Sequence, residues 1–389
     1  MNTHPGLKNG PIYLDYNATT PVDPAVVEAM LPYLSLHFGN PSSSHRYGHE
    51  AHEAVDRARL QVASLLGCAP DEIIFTGGGS ESDNLAIRGI ALARKERGNH
   101  IITQVTEHPA VLNTCRALER LHGFRVTYLP VDEYGRVNLA DVEAATGDST
   151  ILITIMHANN ETGTLQPLRE IAEIARRHGA LLHTDAAQSV GKIPTLVNEL
   201  DVDLLTIAGH KLYAPKGIGA LYVRRGLQLE PVIYGGGQES GRRAGTENVA
   251  AMVASGTACA LAHEQLPESQ SRLRALRDRL QSLLEQELPG RIHLNGHESQ
   301  RLPNTLNVSV AGVIGEEVLA AIPEIASSSG SACHEGNTDP SPVLMAMGRQ
   351  REAALGALRL TLGRWSTEEE VERAARLLAR SVDALSRKQ

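Results

Sequence analysis

Short apolar runs alternate with stretches of helical periodicity along the first two thirds of the chain. DEIIFTGG (71–78), HIITQV (100–105), RVTYLPV (125–131), TILITIMHA (150–158), ALLHTDAA (180–187), DLLTIAG (203–209) and GALYVR (219–224) read as seven strands. Their Ile/Leu/Val runs lack polar alternation, which predicts strands buried on both faces, as in a largely parallel sheet covered by helices. SDNLAIRGIALARKE and LREIAEIARRHG supply helical periodicity between them. After about residue 262 the pattern changes to a charged amphipathic stretch, EQLPESQSRLRALRDRLQSLLEQEL. Short strands TLNVSVAG and ALRLTLG and a closing helix EEEVERAARLLARSVDALSRK follow it. An α/β chain is expected, with a large domain over 16–262 and a smaller α+β domain formed by 1–15 and 263–389.

Composition narrows the partners. At 389 residues, 42% hydrophobic and with a net charge of -8, the chain has the makeup of a soluble protein with room for two domains. The acidic balance argues against nucleic acid or an anionic membrane, both of which call for a basic face. There is no run of about 18 apolar residues, and MNTHPGLKNGPIYLDY lacks the charged-then-apolar order of a signal peptide. A cytoplasmic location is expected. Cys68, Cys115, Cys259 and Cys333 are widely spaced and form no C-x-x-C pair, so neither a disulfide framework nor a zinc site is expected.

Candidate chemistry gathers where strands end, the place where open α/β sheets bind ligands. In AGHKLYAPKG, Lys211 follows His210 at the end of a buried run, and a lysine there needs a partner, neutralisation or covalent use. DEIIF runs into TGGGSESDN, where Gly77, Gly78 and Gly79 let backbone N–H groups approach an anion and Ser80 adds a hydroxyl. The stretch reads equally as a glycine turn with a serine cap. It has neither G-x-G-x-x-G spacing nor a P-loop lysine, so a single phosphate fits better than a dinucleotide. Other strand ends carry His108, Asn160, Asp185 and Gln188. A phosphate cup, a histidine for stacking, a strand-end aspartate and a desolvated lysine together suit pyridoxal 5'-phosphate, which binds a lysine as a Schiff base and an aspartate at its ring nitrogen.

The ordered segments YLDYNATTPVDP, FGNPSSSHR, TGGGSESDNLAI, TEHPAVL, MHANNETGTLQP, HTDAAQSVGKIP, GHKLYAPKGIGALYVRRG, GGGQESGRRAGTEN, LPNTLNVS, SSGSACHEGNTDPSPVL and LRLTLGR span the chain. In these the chain resembles the cysteine desulfurases of the iron-sulfur-cluster assembly type, within the class V aminotransferase group. The resemblance implies the pyridoxal-phosphate-dependent transferase fold (fold type I) and a homodimer. It implies that Lys211 holds the cofactor as a Schiff base, His108 stacks on its ring, Asp185 bonds the ring nitrogen and Gln188 the phenolic oxygen. Gly79, Ser80 and His210 would bind phosphate, with Thr246 contributed by the partner subunit, while Asn160 and Arg359 would hold the substrate carboxylate. An arginine fork matches a carboxylate better than a lysine does. Two positions depart from the pattern. Ala208 replaces a serine that donates to phosphate, and Ala214 replaces a glycine, so no positive φ is expected there. The longer tail with which some relatives dock a scaffold protein does not follow the last helix, so that route to an acceptor is not expected.

Cys333 sits in SSSGSACHEGNTDPSP, whose polar Gly/Ser/Asn content predicts a mobile, exposed loop. The other three cysteines read as buried small hydrophobes. A thiolate at Cys333, favoured by His334 if the two meet, would take the γ-sulfur of L-cysteine as a persulfide, leave alanine, and pass the sulfur to an acceptor or iron-sulfur scaffold protein. The alternatives are a selenocysteine lyase acting on L-selenocysteine, which RIHLNGHESQRLPNT and ACHEGNTDPSPVL also resemble, a cofactor-free sulfur carrier on the same fold, and an aminotransferase.

Overall fold

The computed structural model describes residues 3–329 and 339–387. Its strands are β1 (Ile12–Tyr13), β2 (Ile73–Thr76), β3 (His100–Gln104), β4 (Arg125–Leu129), β5 (Thr150–Thr154), β6 (Leu181–Asp185), β7 (Leu204–Ala208), β8 (Gly219–Val223), β9 (Ile292–Leu294), β10 (Thr305–Val310), β11 (Ile325–Ala326) and β12 (Ala357–Thr361). The seven runs expected from sequence form one sheet, in the order β2-β8-β7-β6-β5-β3-β4. Six of its strands run in the same direction, and β8 alone runs antiparallel to both of its neighbours. The expected ranges overran the strands, most at 150–158, where pairing stops at Thr154 and the chain turns into the polar loop carrying Asn160.

Both faces of this sheet are covered, as the unbroken apolar runs predict. Ile102, Ile153, Leu182, Leu205 and Ile207 pack into one core, while Ile101, Leu152, Leu181 and Leu204 pack into another. Helix Gly79–Ala93 buries Leu85, Ile87 and Ile90 in the second. A separate core forms where β10 pairs antiparallel with β9 and β12. Leu306, Val308, Leu358 and Leu360 meet there with Leu378 and Val382 of helix Glu368–Ser386, and Ile12 and Leu14 join them from the start of the chain.

The change of pattern near residue 262 falls inside one 39-residue helix, Val249–Glu287. Its first half contributes Met252, Ala258 and Ala262 to the large core, and its second half contributes Leu273, Leu280 and Leu284 to the small one. Pro267 lies between the two halves. A proline there removes one intrahelical N–H, yet both flanking stretches are held by their own cores.

Candidate active site

The carboxyl ends of β2, β3, β5, β6 and β7 bring the expected residues to one edge of the sheet. After β2 the chain passes through Gly77 and Gly78 into helix Gly79–Ala93. Gly78 has φ +149°, open to glycine but strained for other residues, and a Cβ on Gly79 would come within 3.1 Å of the Ala208 Cβ. Backbone N–H groups at a helix start, with Ser80 exposed beside them, form a site for an anion. His108 caps helix Pro109–His122, and its Nδ1 accepts from the Ala110 N–H at 3.1 Å. Nδ1 is therefore unprotonated, which agrees with a pKa lowered by burial and by the Lys211 charge against the opposing pull of Asp185.

Asp185 ends β6 nearly buried, with its Oδ1 accepting from Ala187 N–H at 2.9 Å. Burial raises its pKa, and Ala187, His108 and Lys211 oppose the rise. Asp83 and Glu107 are buried beside it, and burial together with the Asp185 charge raises both, Glu107 to about 8, which favours their neutral forms. His210 contacts Thr19 Oγ1 through Nδ1 at 3.2 Å and is driven down to about 4, first by burial and then by the neighbouring Lys211 charge.

Lys211 is compensated in a way the sequence did not disclose. Its Nζ donates to the backbone carbonyls of Asn17 at 2.5 Å and Ala18 at 2.7 Å, and it forms no ion pair among the described residues. Burial, helped by Arg359, lowers it to about 8. A minority of the amine is then neutral near physiological pH, far more than for an ordinary lysine, and that is the form that attacks a carbonyl. Asn17 was quoted within YLDYNATT without a role, yet it gathers the site. Its carbonyl accepts from Lys211 and from Gln188 Nε2 at 2.9 Å, and its amide donates to the Asn160 carbonyl at 3.2 Å.

Arg359, on β12, reaches the same edge from the small core. Its Nη2 donates to Asp15 Oδ1 at 2.9 Å, while Nε is buried without a hydrogen-bond partner among the described residues. An unpaired buried guanidinium N–H is costly, so an arriving carboxylate would find a donor waiting. Asp15 is a second residue that sequence reasoning missed, since its contact with Arg359 spans the two ends of the chain. Thr246 is exposed in the segment before helix Val249–Glu287 and makes no hydrogen bond to the phosphate cup among the described residues. Cys333 and His334 lie outside the described residues. Cys115 and Cys259 are buried and Cys68 is half-buried.

With this geometry in view, the aminotransferase class-V profile matches residues 12–374. The chain belongs to the class-V aminotransferase family. Among curated relatives of this class-V chain, "Cysteine desulfurase IscS" of Pectobacterium carotovorum subsp. carotovorum is 50% identical over 380 residues, covering 96% of this chain and 93% of that protein. Among solved structures, a "NifS-like protein" superposes with a TM-score of 0.90 at 38% identity over 96% of this chain and 100% of that one. Another, "SspA in complex with cysteine", gives 0.78 at 39% identity over 91% and 99%.

The class-V cofactor, pyridoxal phosphate, fits the residues present. The glycine cradle could take a phosphate, Asp185 could meet a protonated ring nitrogen, and burial brings the Lys211 amine closer to its neutral state. Ala214 has no positive φ, as expected, and the left-handed position falls one residue earlier at Tyr213 (φ 62°). Ala208 Cβ faces the start of helix Gly79–Ala93, so a hydroxyl added there would point toward the phosphate cup. Ala208→Ser should therefore slow cofactor loss on dialysis at least about fivefold, the effect of one hydrogen bond to a charged acceptor. Thr206 is already engaged with His183 Nε2 at 3.1 Å. Unchanged or faster loss would mean that water fills the position or that the hydroxyl strains the contact with Gly79.

Proposed function

We propose that this chain is a pyridoxal-phosphate-dependent cysteine desulfurase. It converts L-cysteine to L-alanine and transfers the sulfur as a persulfide for iron-sulfur cluster or other thio-cofactor synthesis. The observation that carries this is the buried Lys211 amine, held by the Asn17 and Ala18 carbonyls at the strand ends that also carry His108 and Asp185, in a chain 50% identical over 96% of its length to named cysteine desulfurases.

Pyridoxal phosphate, when bound, supplies an aldehyde that condenses with amines and a ring that accepts the electrons released at the substrate α-carbon. The chain does the rest. Gly79, Ser80 and His210 would hold the phosphate, with Thr246 of a second copy completing the cup. His108 would stack on the ring, Gln188 would donate to the phenolic oxygen, and Asp185 would keep the ring nitrogen protonated. Arg359 would grip the substrate carboxylate beside Asn160 and so orient the α-C–H bond toward Lys211, whose amine takes the proton. The Cys333 thiolate then attacks the γ-sulfur. An S–S bond forms as the C–S bond breaks with its electron pair left on the β-carbon, which takes up a proton; the α-carbon regains the proton held by Lys211, and alanine leaves.

The division into 16–262 and 1–15 with 263–389 is supported by the two separate cores. A homodimer is supported by exposed Leu31, Leu34, Leu36 and Phe38, a patch of the kind that packs against another protein. A cytoplasmic location agrees with the finding that no described helix is long and apolar enough to cross a membrane. A sulfur-acceptor or iron-sulfur scaffold protein completes the list of partners. The test is to supply L-cysteine and L-selenocysteine separately to purified protein and to measure alanine and released chalcogen. Efficient alanine formation from cysteine is expected. Alanine from selenocysteine alone would replace the desulfurase with a selenocysteine lyase.

A further inference from the structure

Lys192 has no part in the reaction described above, yet its amine is enclosed within the site. It lies four positions after Gln188, and its Nζ donates to Gln188 Oε1 at 2.9 Å and to Asn17 Oδ1 at 3.0 Å. Both amides have their orientation set from the far side by backbone carbonyls, which can only accept. Gln188 Nε2 donates to the Asn17 carbonyl at 2.9 Å, and Asn17 Nδ2 donates to the Asn160 carbonyl at 3.2 Å and to Thr305 Oγ1 at 2.9 Å. The two amide oxygens are thus turned toward Lys192, and Asn304 Nδ2 joins it on Asn17 Oδ1 at 3.0 Å.

We propose that Lys192 is a positioning residue of the cofactor pocket, locking the Gln188 amide with its NH2 group toward Lys211, so that Gln188 can act there only as a donor. The proposal rests on the pyridoxal phosphate reading, in which that donor meets the phenolic oxygen. The network asks Lys192 for two N–H bonds, and a neutral amine has two. Burial, aided by the nearby charges of Lys211 and Arg359, lowers Lys192 well below the usual lysine value. A neutral strut does the orienting without placing another cation beside Lys211. Loss of Lys192 would leave Gln188 Oε1 without its donor and only the Asn17 carbonyl to hold the amide, so that turning its oxygen toward the anionic ring oxygen, which replaces attraction with repulsion, would break one hydrogen bond instead of two.

The test uses full-length holoenzyme without substrate. Lys192→Met keeps the chain length and removes both donors. The pH at which the visible band of the bound cofactor interconverts should rise by about one unit, because a donor to the ring oxygen stabilises the deprotonated form. Among the groups around that oxygen, Lys211, Arg359, Asp185 and His108 stay in place. The cofactor dissociation constant should increase about tenfold, the loss expected for one hydrogen bond to a charged acceptor. In a Gln188→Ala background the same substitution should change that constant less than about twofold, since Lys192 acts through Gln188. Gln188→Glu still accepts from Lys192 and has no N–H, and it should move the band in the same direction even if Lys192→Met fails to fold. An unmoved band in either variant, or a full additional loss in the Gln188→Ala background, overturns the proposal. Failure of the wild-type protein to bind pyridoxal phosphate would instead overturn the cofactor reading beneath it.

Discussion

Lys211→Ala should lower alanine formation from cysteine at least about a thousandfold, since it removes both the covalent attachment and the base that moves the α-proton. Cofactor binding should survive. The cradle at Gly78–Ser80, the Asp185 carboxyl and the His108 ring belong to other strand ends, and none is held by the Lys211 side chain, whose bonds go to the Asn17 and Ala18 carbonyls. The fold should survive as well, because the lost contacts are those of an amine already destabilised by burial. Alanine assay together with an absorption spectrum of the purified variant checks both halves. Activity above a few per cent of wild type would remove Lys211 from the reaction. Loss of the cofactor along with activity would mean that the covalent bond, and not the cradle, provides most of the affinity.

Cys333→Ala should reduce alanine formation from cysteine at least about a hundredfold, as expected for loss of a nucleophile in a covalent transfer, while leaving the visible spectrum of the bound cofactor unchanged. The other cysteines are poor substitutes. Burial pushes the thiols of Cys68, Cys115 and Cys259 up to about 12, so none offers an appreciable thiolate near neutral pH. Selenocysteine provides a contrast, because a selenol is more acidic and its carbon bond weaker. Retained activity on selenocysteine in the same variant would mark Cys333 as a device for sulfur. Processing of cysteine at the wild-type rate would contradict the persulfide step.

The central sheet was legible because its strands are buried on both faces, and such strands are written as unbroken apolar runs. The candidate site was legible for a related reason: Asp185, His210 and Lys211 are polar groups set at the end of such runs, where burial demands a use for them. The long helix was less so. Its apolar stripe switches cores near Pro267, so a change of composition looked like a boundary between elements. Asn17 and Asp15 escaped because their partners are distant along the chain. Asn17 meets Lys211 and Gln188, and Asp15 meets Arg359, pairings created by the fold and absent from any local spacing. Lys192 was written inside the quoted HTDAAQSVGKIP, only four positions from Gln188, but a lysine in a loop carries no signal of burial until its neighbours are known.

A single-turnover reaction measures the central claim most directly. Holoenzyme freed of bound sulfur by reduction, and then of the reductant, is mixed with a limiting amount of L-cysteine, and alanine is quantified alongside the mass of the Cys333-containing peptide. Alanine should form in step with a gain of one sulfur atom on Cys333, with little free sulfide before a thiol acceptor is added. Alanine with sulfide released at once and Cys333 unmodified, or pyruvate and ammonia in place of alanine, would contradict a persulfide-forming cysteine desulfurase.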